Sequence, residues 1–176
     1  MRTFEWAAVA VLATFFAAGC GDDDGTTTEP PGTQFNVVLT KDQETTPCSG
    51  AGEAAAGTAI VTVSADNKSI HVSPLIFSGL SGALLSGTQG GHIHIGAAGV
   101  PGSAVLSFNN TTQNPLTSPS TAAFTQLSYP LLVPTDAPAD FIGFAQAMRE
   151  GNTYINLHTA ACPAGEIRGQ ILPEGE

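Results

Sequence analysis

From residue 35 onward, apolar and polar residues alternate in short runs separated by turn-forming residues. A period of two marks a strand with one buried face. Residues 35–40 (FNVVLT) open the series. Residues 58–64 (TAIVTVS) and 69–77 flank Ala65-Asp66-Asn67-Lys68, which predicts a hairpin. Residues 92–95 (HIHI) and 104–108 follow, joined by the turn-rich stretch from Gly96 to Gly102. Residues 123–127, 154–158 and 166–172 complete the predicted strands. Only residues 138–150 change period: Phe141, Phe144, Ala145 and Met148 recur at helical spacing. Pro138 suits a first helical turn, Asp140 suits the positive end of the dipole, and Gly151 suits a C-terminal cap. Residues 46–57 and 79–91 read as loops, the second carrying Leu80, Leu84 and Leu85. Residues 109–119 read as a polar surface excursion. The pattern predicts a mainly β fold: an antiparallel β-sandwich or Greek-key-like barrel with one short helix near 138–150.

The first 34 residues follow a different rule. Arg2 precedes an apolar run from Trp6 to Ala18, which is shorter than the about 20 residues a spanning helix needs. The run ends in Ala17-Ala18-Gly19-Cys20, which resembles a bacterial lipoprotein signal. Glu5 in the n-region and Ala17, where Leu is commonest, depart from that pattern. The resemblance implies a signal peptide over residues 1–19, a lipid on Cys20 and attachment to a membrane. Residues 20–34 are then a tether: Asp22, Asp23, Asp24 and the Gly, Thr and Pro around them cannot pack a core. Gly21 behind the Cys, by resemblance to enteric sorting, favours the outer membrane over the inner. The folded domain is expected over 35–172, with a tail at 173–176.

Charge and cysteines narrow the chemistry. Of 176 residues, five are Lys or Arg and 15 are Asp or Glu, giving a formal charge of −10. That argues against nucleic acid as a partner, since affinity for it comes from basic side chains that neutralise phosphates. It also argues against a polybasic membrane patch. With Cys20 lipidated, Cys48 and Cys162 remain. In an oxidising compartment they form a disulfide; otherwise they are two buried thiols.

Three predicted strands carry polar chemistry on one face. In 92–95, His92 and His94 share a side; in 154–158, Tyr154, Asn156 and His158 do; in 166–172, Glu166, Arg168 and Gln170 do. His-x-His aims two imidazoles the same way, and His158 can supply a third nitrogen. Three imidazoles suit Zn or Cu. The competing reading is a hydrogen-bonded face on which His92 and His94 contact loop carbonyls and Arg168 pairs with a carboxylate. His71 alternates with Ser69 and Ser73 and is expected on the surface.

These residues also resemble a known family. His92-Ile93-His94-Ile95-Gly96, Gly99-Val100-Pro101-Gly102, the run from Gly151 to Thr159 and the run from Pro163 to Ile171 are similar to the CHRD domain, named for chordin. The resemblance covers 35–172 and implies an exported β-rich module. A fainter likeness to copper–zinc superoxide dismutase lies in His92 and His94, His158, and Cys162 before a Gly/Ile-rich last strand. No further His follows His94 to bridge two metals, so the likeness implies at most one mononuclear site.

Enzyme motifs are missing. Gly79-Leu80-Ser81-Gly82-Ala83 lacks the last Gly of a nucleophile elbow, and no His-Glu-x-x-His occurs. No catalytic residue is assigned. The leading expectation is a lipid-anchored envelope protein whose module binds an envelope or extracellular partner without catalysis, using Asn156, Glu166 and Arg168 beside the histidines. The alternative is a Cu or Zn protein with a redox role, liganded by His92, His94 and His158.

Overall fold

The computed structural model describes residues 32–108, 116–125, 128 and 135–173. Eight antiparallel strands form one sheet: β1 Thr33–Thr40, β2 Ala56–Val63, β3 Ser69–Ser78, β4 Gly91–Ile95, β5 Ala104–Ser107, β6 Ser120–Thr125, β7 Thr153–Leu157 and β8 Ile167–Ile171. Their order across the sheet is β5-β4-β7-β8-β1-β2-β3-β6. The sheet curls into a nearly closed barrel. Across its open side, Phe108 just past β5 and Phe124 on β6 bring their ring centroids to 5.9 Å.

Alternation builds the interior. Phe35, Val37 and Leu39 of β1 are buried, whereas Val38 is 59% exposed. Ala59, Val61 and Val63 answer from β2, in register from Thr33↔Val63 to Thr40↔Ala56. Burying one such aliphatic or aromatic side chain contributes about 1.5–3 kcal/mol. The β2–β3 turn needs a left-handed residue, and Asn67 takes it at φ 58. Ser64 Oγ closes the turn by accepting from the amides of Lys68 and Ser69. The exposed side of β3 holds His71, as expected.

Helix α1, Phe141–Arg149, presents Phe141, Phe144, Ala145 and Met148 to the core. It starts later than its periodicity implied. Asp140 is the N-cap, its carboxylate accepting from Gly143 N at 2.7 Å, so Pro138 stays outside. Gly151, at φ 74, ends it. Other boundaries moved as well. β6 begins at Ser120 rather than Ala123, and residues 126–127 lie outside the described ones. Of the 109–119 excursion, 109–115 also lie outside them, but Leu116 is buried near Gly91 and Phe108 instead of facing water. One leucine in a polar run gives no periodicity to read.

Cys48 and Cys162 are disulfide-bonded, with Cα atoms 5.7 Å apart across a sequence separation of 114. In the chain-entropy model such a loop contributes up to about 4–5 kcal/mol. The bond ties the loop before β2 to the turn between β7 and β8. No helix among the described residues is long and apolar enough to cross a membrane. The expected signal peptide, Cys20 and the expected tether up to residue 31 fall outside the described residues.

Candidate metal centre

β4, β7 and β8 are neighbours in the sheet. Their registers set His92 opposite Asn156, which faces Arg168, and His94 opposite Tyr154, which faces Gln170. His158 follows β7 directly, its amide donating to Gly90 O at 2.9 Å. The polar faces anticipated on three separate strands therefore form one surface. Loops cover it: every residue of β7 and β8 is buried on both sides of the sheet.

The three imidazoles converge. One nitrogen from each of His92, His94 and His158 lies within 4.8 Å of those of the others. His92 Nδ1 and His158 Nε2 are 3.2 Å apart. The second nitrogen of each ring faces a backbone carbonyl. His92 Nε2 contacts Thr88 O, in the short 3-10 turn Gly87–Gln89. His94 Nδ1 contacts Gly102 O at 2.9 Å, and His158 Nδ1 contacts Pro163 O at 3.2 Å. A carbonyl only accepts, so each of these nitrogens carries the N–H. A neutral ring then has a bare lone pair on the other nitrogen: Nδ1 of His92, Nε2 of His94 and Nε2 of His158. His94 Nε2 is buried with no hydrogen-bond partner among the described residues. The two lone pairs of His92 and His158 would repel at their separation unless a positive centre stood between them. Two imidazole nitrogens on one tetrahedral metal at about 2.0–2.1 Å lie roughly 3.3 Å apart. Carbonyls that fix the outer N–H of a ligating His are the usual outer shell of such a site.

Electrostatics keep the rings neutral. Burial lowers His94 to about 4, with the charges of His92, His158 and Arg168 adding to it. Burial and His92 lower His158 to about 4. Burial lowers His92 as well, against its bond to Thr88. Neutral imidazole is the metal-binding form.

The family model for the CHRD domain matches residues 35–171. The chain belongs to the CHRD domain family. No curated protein and no solved structure matches it.

In this CHRD domain the histidines rest on a braced wall. His94 stacks on Tyr154 with centroids 4.7 Å apart, and the Arg168 guanidinium lies 3.5 Å from the centroid of the same Tyr154 ring. Tyr154 Oη accepts from Gly102 N at 3.0 Å and donates to Gly102 O at 3.2 Å, holding the carbonyl that orients His94. Gly102 has to be glycine, since a Cβ there would lie 1.7 Å from Ile95 O. Arg168, only 1% exposed, departs from the expected Arg–carboxylate pair. It donates to Val100 O at 3.1 Å, and to Ala97 O and Gln170 Oε1 at 2.9 Å each, strapping down the 96–102 loop. Gln170 Nε2 donates to Gly96 O and Gly151 O.

Glu166 also lies elsewhere than expected. β8 starts one residue later, at Ile167. The Glu166 carboxylate accepts from the amides of Gly52 and Ser81 and from the hydroxyls of Ser81 and Thr159. It clamps three loops and does not meet Arg168. Asn156, 4% exposed, donates to Glu44 Oε2 at 3.4 Å. Asn156, Glu166 and Arg168 are therefore buried supports, not an open docking face. The residues that sequence reasoning missed are Thr88, Gly102 and Pro163, which act through their carbonyls, and Glu44, an acid in a polar run that also holds Asp42.

Proposed function

We propose that this CHRD domain is the folded part of an exported, lipid-anchored envelope protein and binds one transition-metal ion, Zn or Cu. The ligands are His92 Nδ1, His94 Nε2 and His158 Nε2. The observation that carries this is the convergence of three imidazoles whose outer nitrogens are all committed to carbonyls. The Cys48–Cys162 disulfide supports export, since such bonds persist in oxidising compartments. The sequence around Cys20 supports lipid attachment, with the outer membrane as the favoured site. With three protein donors, a tetrahedral ion retains one position for water or another ligand. The family supports a binding role and names no reaction.

The test is titration of the metal-free chain from residue 32 with Zn and Cu. One ion bound per chain is expected. His94→Ala should abolish binding while far-ultraviolet circular dichroism stays unchanged. Equal binding by wild type and His94→Ala would overturn the assignment. Lipid attachment is tested separately: Cys20→Ala should move the protein from the membrane fraction to the soluble one.

A further inference from the structure

Glu44 sits just past the 3-10 turn Lys41–Gln43, which is fastened over the sheet. Gln43 Oε1 accepts from Gln170 N at 3.0 Å, and Gln43 Nε2 donates to Val38 O at 2.8 Å. Glu44 Oε2 takes one hydrogen bond, from Asn156 Nδ2. The other oxygen of each group, Glu44 Oε1 and Asn156 Oδ1, is buried and has no donor among the described residues. They border the same spot, since a Cβ built on Gly165 would lie 2.7 Å from each. Two buried acceptors in that relation are costly, and no amide or hydroxyl among the described residues supplies the missing donor. One proton on Glu44 Oε1 satisfies both at once. The acid O–H donates to Asn156 Oδ1 while Asn156 Nδ2 donates to Glu44 Oε2, closing a two-bond ring.

We propose that Glu44 and Asn156 form a carboxylic acid–amide pair that holds the 41–44 segment against β7, and that loss of its proton turns Glu44 toward Arg168. The pair does not involve the imidazoles and does not depend on the metal reading. Burial independently raises the Glu44 carboxyl to about 7, outweighing the charge of Arg168 and the bond from Asn156. The charged and titratable groups around it are Arg168 from β8, which favours the carboxylate, the Tyr154 hydroxyl from β7, and Asp42 of its own turn, which lines the same cavity. The 96–102 loop opposite brings Ala98 and Gly99, which carry no charge. Between that loop and Glu44 lies a cavity of about 350 Å³ floored by Arg168 and Gln170. Once ionised, Glu44 offers Arg168 a carboxylate across this cavity in place of the carbonyls of Ala97 and Val100. The strap on the 96–102 loop is then contested, and Gly102 on that loop orients His94. The device therefore carries a pH signal to the loop.

The direct test is nuclear magnetic resonance of the full chain with ¹³C-labelled glutamate carboxyls, titrated from pH 5 to 9. Glu44 is assigned by through-bond correlation, so the measurement needs no variant. Its midpoint should fall near 7, against about 4.3 for an unburied Glu, and the Ala97 and Val100 amide signals should move with it. An ordinary carboxylate midpoint would overturn the proposal, whether a water or a bound cation fills the gap instead. Stability gives a second readout. A raised folded value means stability that is complete below the unfolded value and lost as pH rises through the folded one. Wild type should lose roughly 2–4 °C in Tm relative to Glu44→Gln between pH 5 and 8, because the amide keeps a donor at every pH. Parallel curves for the two proteins would also refute it.

Discussion

Metal affinity should be unusually resistant to acid, and the size of the effect follows from the buried rings. The perturbation is a drop from pH 7.5 to 5.0. An imidazole at its ordinary value of 6.5 is protonated about 30-fold over neutral at pH 5, and three such ligands would cost roughly 3 × 10⁴ in affinity, or about 6 kcal/mol. His94 and His158 are each lowered to about 4, so at pH 5 only about a tenth of each is protonated. Together they weaken binding by less than about 1.5-fold. His92 is lowered too, and even at its ordinary value it could add no more than about 30-fold. The dissociation constant for Zn should therefore rise by less than about 50-fold between pH 7.5 and 5.0. Competition against a chelator of known acid dependence measures this. A loss of 10³-fold or more by pH 5 would refute the reasoning, because it would mean that water reaches the rings and that they titrate freely.

Three further outcomes test the supports. Arg168→Ala should cost about 2–4 kcal/mol in urea unfolding, since it removes three hydrogen bonds and the stack on Tyr154, and it should weaken metal binding through the freed 96–102 loop. Glu166→Gln should cost about 1.5–3 kcal/mol at pH 7, because four donors lose a charged acceptor. Those bonds hold the Glu166 carboxyl below 4.5, so its contribution is complete above 4.5 and lost as pH falls through the folded value; the variant's deficit should shrink on acid titration. Gly169→Ala should destabilise by about 1–3 kcal/mol in the same assay, since a Cβ would lie 2.7 Å from Val37 Cγ1 and 2.8 Å from Val38 O, where β8 passes close to β1.

The strands were legible because their apolar positions alternate and nothing distant can change a period of two. Phe35, Val37 and Leu39 announce an inner face, and Ile155 and Leu157 announce another. The same rule put His92 with His94 and Asn156 with His158, but alternation reports a side of a strand and not which strand lies next to it. The distances between the three imidazoles needed the sheet order β4-β7-β8. The carbonyl partners were invisible, because Thr88, Gly102 and Pro163 contribute the one group that every residue possesses. Arg168 was read as half of an ion pair because charge suggests charge. In the fold it meets a loop of small residues whose carbonyls point inward. Burial of the polar face also escaped the sequence, since the loops that cover it carry no apolar stripe.

Cys162 immediately precedes Pro163, whose carbonyl fixes the tautomer of His158. The Cys162 amide in turn donates to Thr159 O, closing the turn that leaves His158. His158 is thus clamped by a segment whose far anchor is a covalent bond to Cys48. In a reducing cytosol that anchor is absent. If His92, His94 and His158 hold a metal as proposed, a newly made chain would then lack the tie behind its third ligand, and high-affinity loading would wait until the disulfide forms. Compartment, rather than metal supply, would then decide when the proposed centre matures.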